Sequence, residues 1–447
     1  MAKKKKGGRV TPKGRSTQAQ AAFAQILGVA HEDLSEIENP IDAEVLASAL
    51  ISGWRNAVDD DSAGIDADEV VGLGLVLQAT RSRLPTMLVL LRAIAAVGPP
   101  RLAQAASTAA FARDARDVSQ YRPAWLDLLG TARPVGAWRV WERWLDAEVA
   151  GIAFTYGDGG PVHSINVVID RIGPGIARDG FVSGDLADVL TAYRDEDGWT
   201  VEEAIIAEVA DDIDAALAVA QDRAAEPTDD LVEVIPLIEA RLDALAEEEG
   251  SLGPVDLTGS GSPIDEDDLG PVLEDLIDAT LAGALAHIAG FLSSPEGEVF
   301  LDEPSSERAV SDIVMFRAIV LGGDALHVSP AVVSTFLMRF YATEVMAAED
   351  VYAVVPDVVG AWVRYACRLR NREGFVDELL ETLEELRQPF LDACADPKAW
   401  GPGKRAAHDG GVDFSDEAAL RAWNGVPDPD DTNYEMLEEL SGQDREG

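Results

Sequence analysis

Cys367 sits among Arg364, Arg368, Arg370 and Arg372 in the segment AWVRYACRLRNR. Nearby guanidinium groups favour the thiolate, which is the nucleophilic form of cysteine. These four arginines are the candidate binding point for an acidic protein partner. The plainer reading is a half-buried helix whose arginines face water or pair with neighbouring acids.

A second group surrounds YGDGGPVHSINVVIDRIGPGIARDG, residues 156–180. It comprises His163, Asp170, Arg171, Arg178 and Asp179. An odd separation along a strand places His163 and Asp170 on opposite faces, which argues against a simple acid–base pair. The hairpin is therefore read as structure, with a solvated loop.

Several other stretches begin like known sites and fail. GPGIARDG carries Gly173 and Gly175, but Arg178 occupies the place of the third glycine of a dinucleotide loop. WGPGKR has Lys398 where a phosphate loop requires its first glycine, and Arg405 where it requires Ser or Thr. HEDLS has Ser35 in place of the second zinc-binding histidine, and the histidines at 31, 163, 287, 327 and 408 are scattered. DDDSAGIDADEV offers carboxylates, yet Val70 stands where a calcium loop needs its bidentate glutamate. No GxSxG is present. The expectation is a chain with no identifiable catalytic residue, no cofactor and no metal.

Charge narrows the partners. Of 36 basic residues, seven (Lys3, Lys4, Lys5, Lys6, Arg9, Lys13 and Arg15) lie in the first 30 positions, which contain no acid. The rest of the chain sets 29 basic groups against 81 acidic ones. So acidic a body repels nucleic acid and anionic membrane. The arm is thus the one candidate polyanion-binding segment. Membrane binding is not expected.

Two cysteines, Cys367 and Cys394, do not make a disulfide framework. The basic start followed by AAFAQILGVA has the order of a secretion signal, but Gln25 interrupts the apolar part and the basic part is long. LPTMLVLLRAIAAVG is short for a membrane span and contains Arg92. A cytoplasmic protein is expected.

The elements that must position these groups are mostly helical by pattern. At 447 residues the chain exceeds one ordinary core. Residues 1–16 read as a disordered basic arm. A helical domain over 17–247 follows, with helices near 17–30, 41–57, 67–82, 85–97 and 100–115. Trp138, Trp141 and Trp144 at three-residue spacing suggest one stripe of a helix, and core packing. AGIAFTY and VHSINVVID flank GDGGP and predict one antiparallel hairpin near 150–170. GWTVEEA reads as the capping box of a helix over 200–224, with another at 229–247. An acidic Gly/Ser/Pro linker spans 248–270, a second helical domain 271–424, and a disordered acidic tail 425–447. The fold class expected is mainly α with one small antiparallel β-hairpin, in two helical domains.

VPDVVGAWVRYACRLRNREGF, PFLDACADPKAWGPGKR and GVDFSDEAALRAWN resemble segments of a group of mostly helical actinobacterial proteins. HSINVVIDRIGPGIARDGFV is similar to another segment of that group. The resemblance implies a natural two-part protein and brings no activity or site residue with it. A soluble, non-enzymatic interaction or regulatory protein is the leading expectation. Alternatives are an enzyme with a carboxylate or cysteine site near the hairpin or Cys367, and a nucleic-acid- or ribosome-associated factor that uses the arm.

Overall fold

The computed structural model describes residues 12–57, 66–115, 121–157, 160–184, 186–196, 198–222, 227–250, 282–300 and 304–423. Lys3, Lys4, Lys5, Lys6 and Arg9, most of the expected linker and the whole acidic tail lie outside them. The chain divides into two compact units, residues 1–171 with 175–260, and residues 261–447 with 172–174.

The first unit opens with helices α1 (Pro12–Glu36), α2 (Pro40–Ala57), α3 (Leu73–Arg81), α4 (Met87–Val97) and α5 (Pro100–Asp114). Lys13 and Arg15 fall in the first turns of α1. In α4, Met87 to Leu91, Ala93 and Ile94 are all inaccessible to solvent. A helix so nearly all apolar, with Arg92 its one charged residue, must be central, and the other four surround it. Arg113 of α5 is buried because its guanidinium donates to the carbonyls of Ala79, Ser82 and Leu84 at 3.0, 2.7 and 2.7 Å. It thereby gathers carbonyls of the last turn of α3 and of the segment just beyond it.

The strand content corrects the expected fold class. The unit contains a five-stranded antiparallel sheet, not one small hairpin, and the fold is mixed α/β with helix predominating. The strands are β1 (Ala132–Glu142), β2 (Ala147–Tyr156), β3 (Val162–Asp170), β4 (Ile176–Ser183) and β5 (Trp199–Ala204), in the order β4-β3-β2-β1-β5. The expected hairpin is β2–β3, with Phe154 opposite His163.

The tryptophan stripe is a strand feature. Trp138 and Trp141 project from opposite faces of β1, and Trp144 lies in the turn beneath the Arg143 guanidinium. Trp138 lies across Gly151 of β2, where a Cβ would come within 2.3 Å of the indole. GWTVEEA forms edge strand β5, because Trp199 and Val201 alternate into the apolar layer of Trp138, Val140 and Val149.

IARDGFVS forms β4, with a register shift opposite Val168 and Ile169. Its Arg-Asp-Gly is an anchor for helix α8 (Asp229–Gly250). Thr228 donates its amide to the Arg178 carbonyl at 2.9 Å and its hydroxyl to Asp179. The same hydroxyl accepts from the Leu231 amide as an N-terminal cap. Gly180 leaves room for Leu231, whose Cδ1 would lie 2.7 Å from an added Cβ.

One face of the sheet carries α6 (Leu186–Asp195). The other carries α7 (Ile206–Asp222) and α8. Pro236 within α8 has no N–H, so the Val232 carbonyl lacks its helical donor. Ser52 of α2 supplies a hydroxyl to it at 2.6 Å. Ser48 inserts its hydroxyl between the Leu237 amide and the Glu233 carbonyl, at 3.1 and 2.7 Å.

The second unit has no strand among its described residues, which form helices joined by turns and loops. Its helices include Pro304–Met315, Glu349–Leu369, Val376–Ala395, Pro402–Asp409 and Glu417–Trp423. Ser329 caps the turn that starts at Pro330 by accepting from the Val332 amide at 3.0 Å. Phe291, Phe336, Tyr341, Trp362 and Phe390 form its buried aromatic core.

Candidate functional site

Among the described residues, those singled out in sequence lie at separate places in the fold. Cys367 is buried, and burial pushes its thiol above the ordinary range, with Arg372 opposing. The arginine cluster is shared out among partners within the chain. Arg368 makes a bidentate pair with Glu296 at 2.7 and 2.9 Å, and this bond draws the Glu296 carboxyl down to about 2. Arg370 pairs with Asp324, Arg364 donates to the Gly360 carbonyl at 3.2 Å, and the Arg372 guanidinium lies over the Phe375 ring. Asp170 pairs with Arg178 on the face of β3 opposite His163.

The seam between the sheet and helices α7 and α8 is apolar in the middle and ionic at both ends. Alternation brings Arg139, Glu148 and Arg171 to one end. Glu148, inaccessible to solvent, accepts from both arginines, and Asp212 of α7 lies 2.5 Å from Arg139 and 3.4 Å from Arg171.

At the other end lies a fully buried quartet of Glu44, Tyr156, His163 and Arg241. Glu44 accepts from Arg241, from the Tyr156 hydroxyl at 2.5 Å and from the Gly130 amide at 2.8 Å. His163 stacks on Phe154 and Tyr156, and its Nε2 lies 3.5 Å from Arg241. Burial first, and Arg241 second, lower the His163 pKa to about 3, so the imidazole is neutral. With every member inaccessible to solvent, the quartet ties α2, β2, β3 and α8 together.

The second unit offers an open cavity of about 480 Å³. Its walls come from four separated stretches: Ala347 to Tyr352 at the start of one helix, Leu391 to Ala395 at the end of the next, Trp400, and Asp413 to Ser415. The Trp400 segment is fastened on two sides, and its indole N–H donates to the Cys394 carbonyl at 2.9 Å. The Gly401 amide donates to the Thr343 carbonyl and the Lys404 ammonium to the Ala342 carbonyl, both at 2.9 Å. WGPGKR is thus a helix start, with Pro402 in the first turn and Lys404 buried as a strut against Tyr352 and Trp400.

The groups on the walls are held in fixed states. The Tyr352 hydroxyl donates to the Val345 carbonyl at 2.8 Å and accepts from the Ala347 amide at 3.0 Å. Burial raises the Tyr352 phenol and the Cys394 thiol each to about 12, so both keep their protons at neutral pH. Asp413 accepts from the amide and hydroxyl of Ser415 at 2.9 and 2.7 Å, which keep its carboxyl low.

Sequence reasoning missed this cavity, because nothing local joins Glu349, Cys394, Trp400 and Asp413. Among the described residues, no three His, Cys, Asp or Glu side chains converge to hold a metal ion, and no helix is long and apolar enough to cross a membrane. Comparison with protein-family models, curated proteins and solved structures finds no match.

Proposed function

We propose that the protein is a non-enzymatic binding protein and that the cavity of the second unit is its recognition site. The observation that carries this reading is a cavity of about 480 Å³ with aromatic and aliphatic walls, in which the thiol and the phenol both stay protonated. Cavities of this size and lining suit a small organic molecule. A cysteine nucleophile requires a lowered thiol pKa, and Cys394 is shifted the other way.

A thermal-denaturation screen tests the reading. A ligand present at about one hundred times its Kd should stabilise the fold by about 2.7 kcal/mol. Ala395→Trp, which fills the cavity from its rim, should abolish that shift while the protein stays folded. Ligands that stabilise wild type and filled variant equally would place recognition elsewhere.

A further inference from the structure

Resting on the cavity as the recognition site, we infer that its ligand is a small amphiphilic organic cation, an ammonium group on an apolar body. Apolar surface from Leu391 and Ala395 and the rings of Tyr352, Trp400 and Phe414 line the space. The charged groups that open into it alongside them are carboxylates, Glu349 and Asp413, both exposed at the rim. Aromatic faces carry negative quadrupole charge, so they favour a cation over an anion of the same shape.

Asp413 is kept ionised by the Ser415 amide and hydroxyl, which occupy one of its oxygens and leave the other to a ligand. The opposing charge is Lys404. It does not line the cavity, is only 1% exposed, and spends its ammonium on the Ala342 carbonyl and on the Tyr352 and Trp400 rings. Its repulsion is therefore directed at the cavity from behind the wall, whereas the two carboxylates stand at the mouth.

Calorimetric titration with three probes of nearly equal shape tests this inference: 2-phenylethylammonium, 2-phenylethanol and 3-phenylpropanoate. The ammonium should bind at least tenfold more tightly than the alcohol, and the carboxylate more weakly than either. Glu349→Gln with Asp413→Asn should remove most of the ammonium's advantage and leave the alcohol within twofold. Equal or tighter binding of the alcohol or the carboxylate, abolished by Ala395→Trp, would overturn the cation assignment and keep the cavity as the site. Tight ammonium binding that ignores both carboxylate substitutions would overturn it as well. Failure of all three probes to bind in an Ala395-sensitive way would overturn both the assignment and the cavity reading.

Discussion

At the scale of single residues, the buried quartet sets the largest stability effects. Breaking a buried ion pair by removing one partner costs about 3–5 kcal/mol, because the other charge stays behind in a dry site. Arg241→Met should therefore lower unfolding free energy by that amount in urea titration. Adding Glu44→Leu to it should recover part of the loss, and a double variant worse than the single would contradict the pairing. His163 predicts a pH dependence. Its folded pKa of about 3 lies below the unfolded value of roughly 6.5, so the unfolded chain binds the extra proton first. Stability is complete above pH 6.5 and falls as pH drops towards 3, by up to about 1.4 kcal/mol per pH unit. His163→Phe should flatten that stretch of the urea midpoint against pH, and an unchanged slope would assign it to other groups. None of this was legible in sequence. His163 has Phe154 and Tyr156 close by in sequence, but Arg241 lies 78 positions from His163 and Glu44 lies 112 from Tyr156, so no local pattern joins the four.

At the scale of elements, the helices and the β2–β3 hairpin announce themselves in sequence, and strands β1, β4 and β5 do not. MLVLLRAIAAV and the Pro99-Pro100 break show α4 and the start of α5, because apolar runs and proline act locally. Strand β1 hides because both faces of the sheet are covered along its second half, where Ala137, Trp138 and Val140 are all buried, so alternation is confined to its first residues. Its Pro134 and Gly136 flank a register shift and look like a loop in sequence. Strand β4 hid for a related reason. Arg178, Asp179 and Gly180 have turn chemistry, but they are used to seat α8 against the sheet. Gly151→Ala should cost about 1–3 kcal/mol, since the indole of Trp138 cannot move aside as a flexible chain would. Ser52→Ala should cost about 1–3 kcal/mol by leaving the Val232 carbonyl without a donor. Denaturant unfolding of both variants checks these values, and a loss under 0.5 kcal/mol in either would show that the site relaxes around the change.

At the scale of the whole molecule, the acidic body and the basic start set what the protein attracts. Any nucleic-acid binding should be sequence-independent and carried by Lys3, Lys4, Lys5, Lys6, Arg9, Lys13 and Arg15. Engagement of all seven with a single strand gives a slope of log K against log salt near about −5. Changing the seven to serine should abolish the binding, and binding that persists would place it on the folded body. The central claim, however, is a cavity that holds a molecule without transforming it. Native mass spectrometry of the protein purified from its own cells addresses this directly. The wild-type chain should carry a small molecule that is released chemically unchanged, and Ala395→Trp should carry none. A molecule retained by the filled variant, or one converted to product during incubation with wild type, would contradict the account.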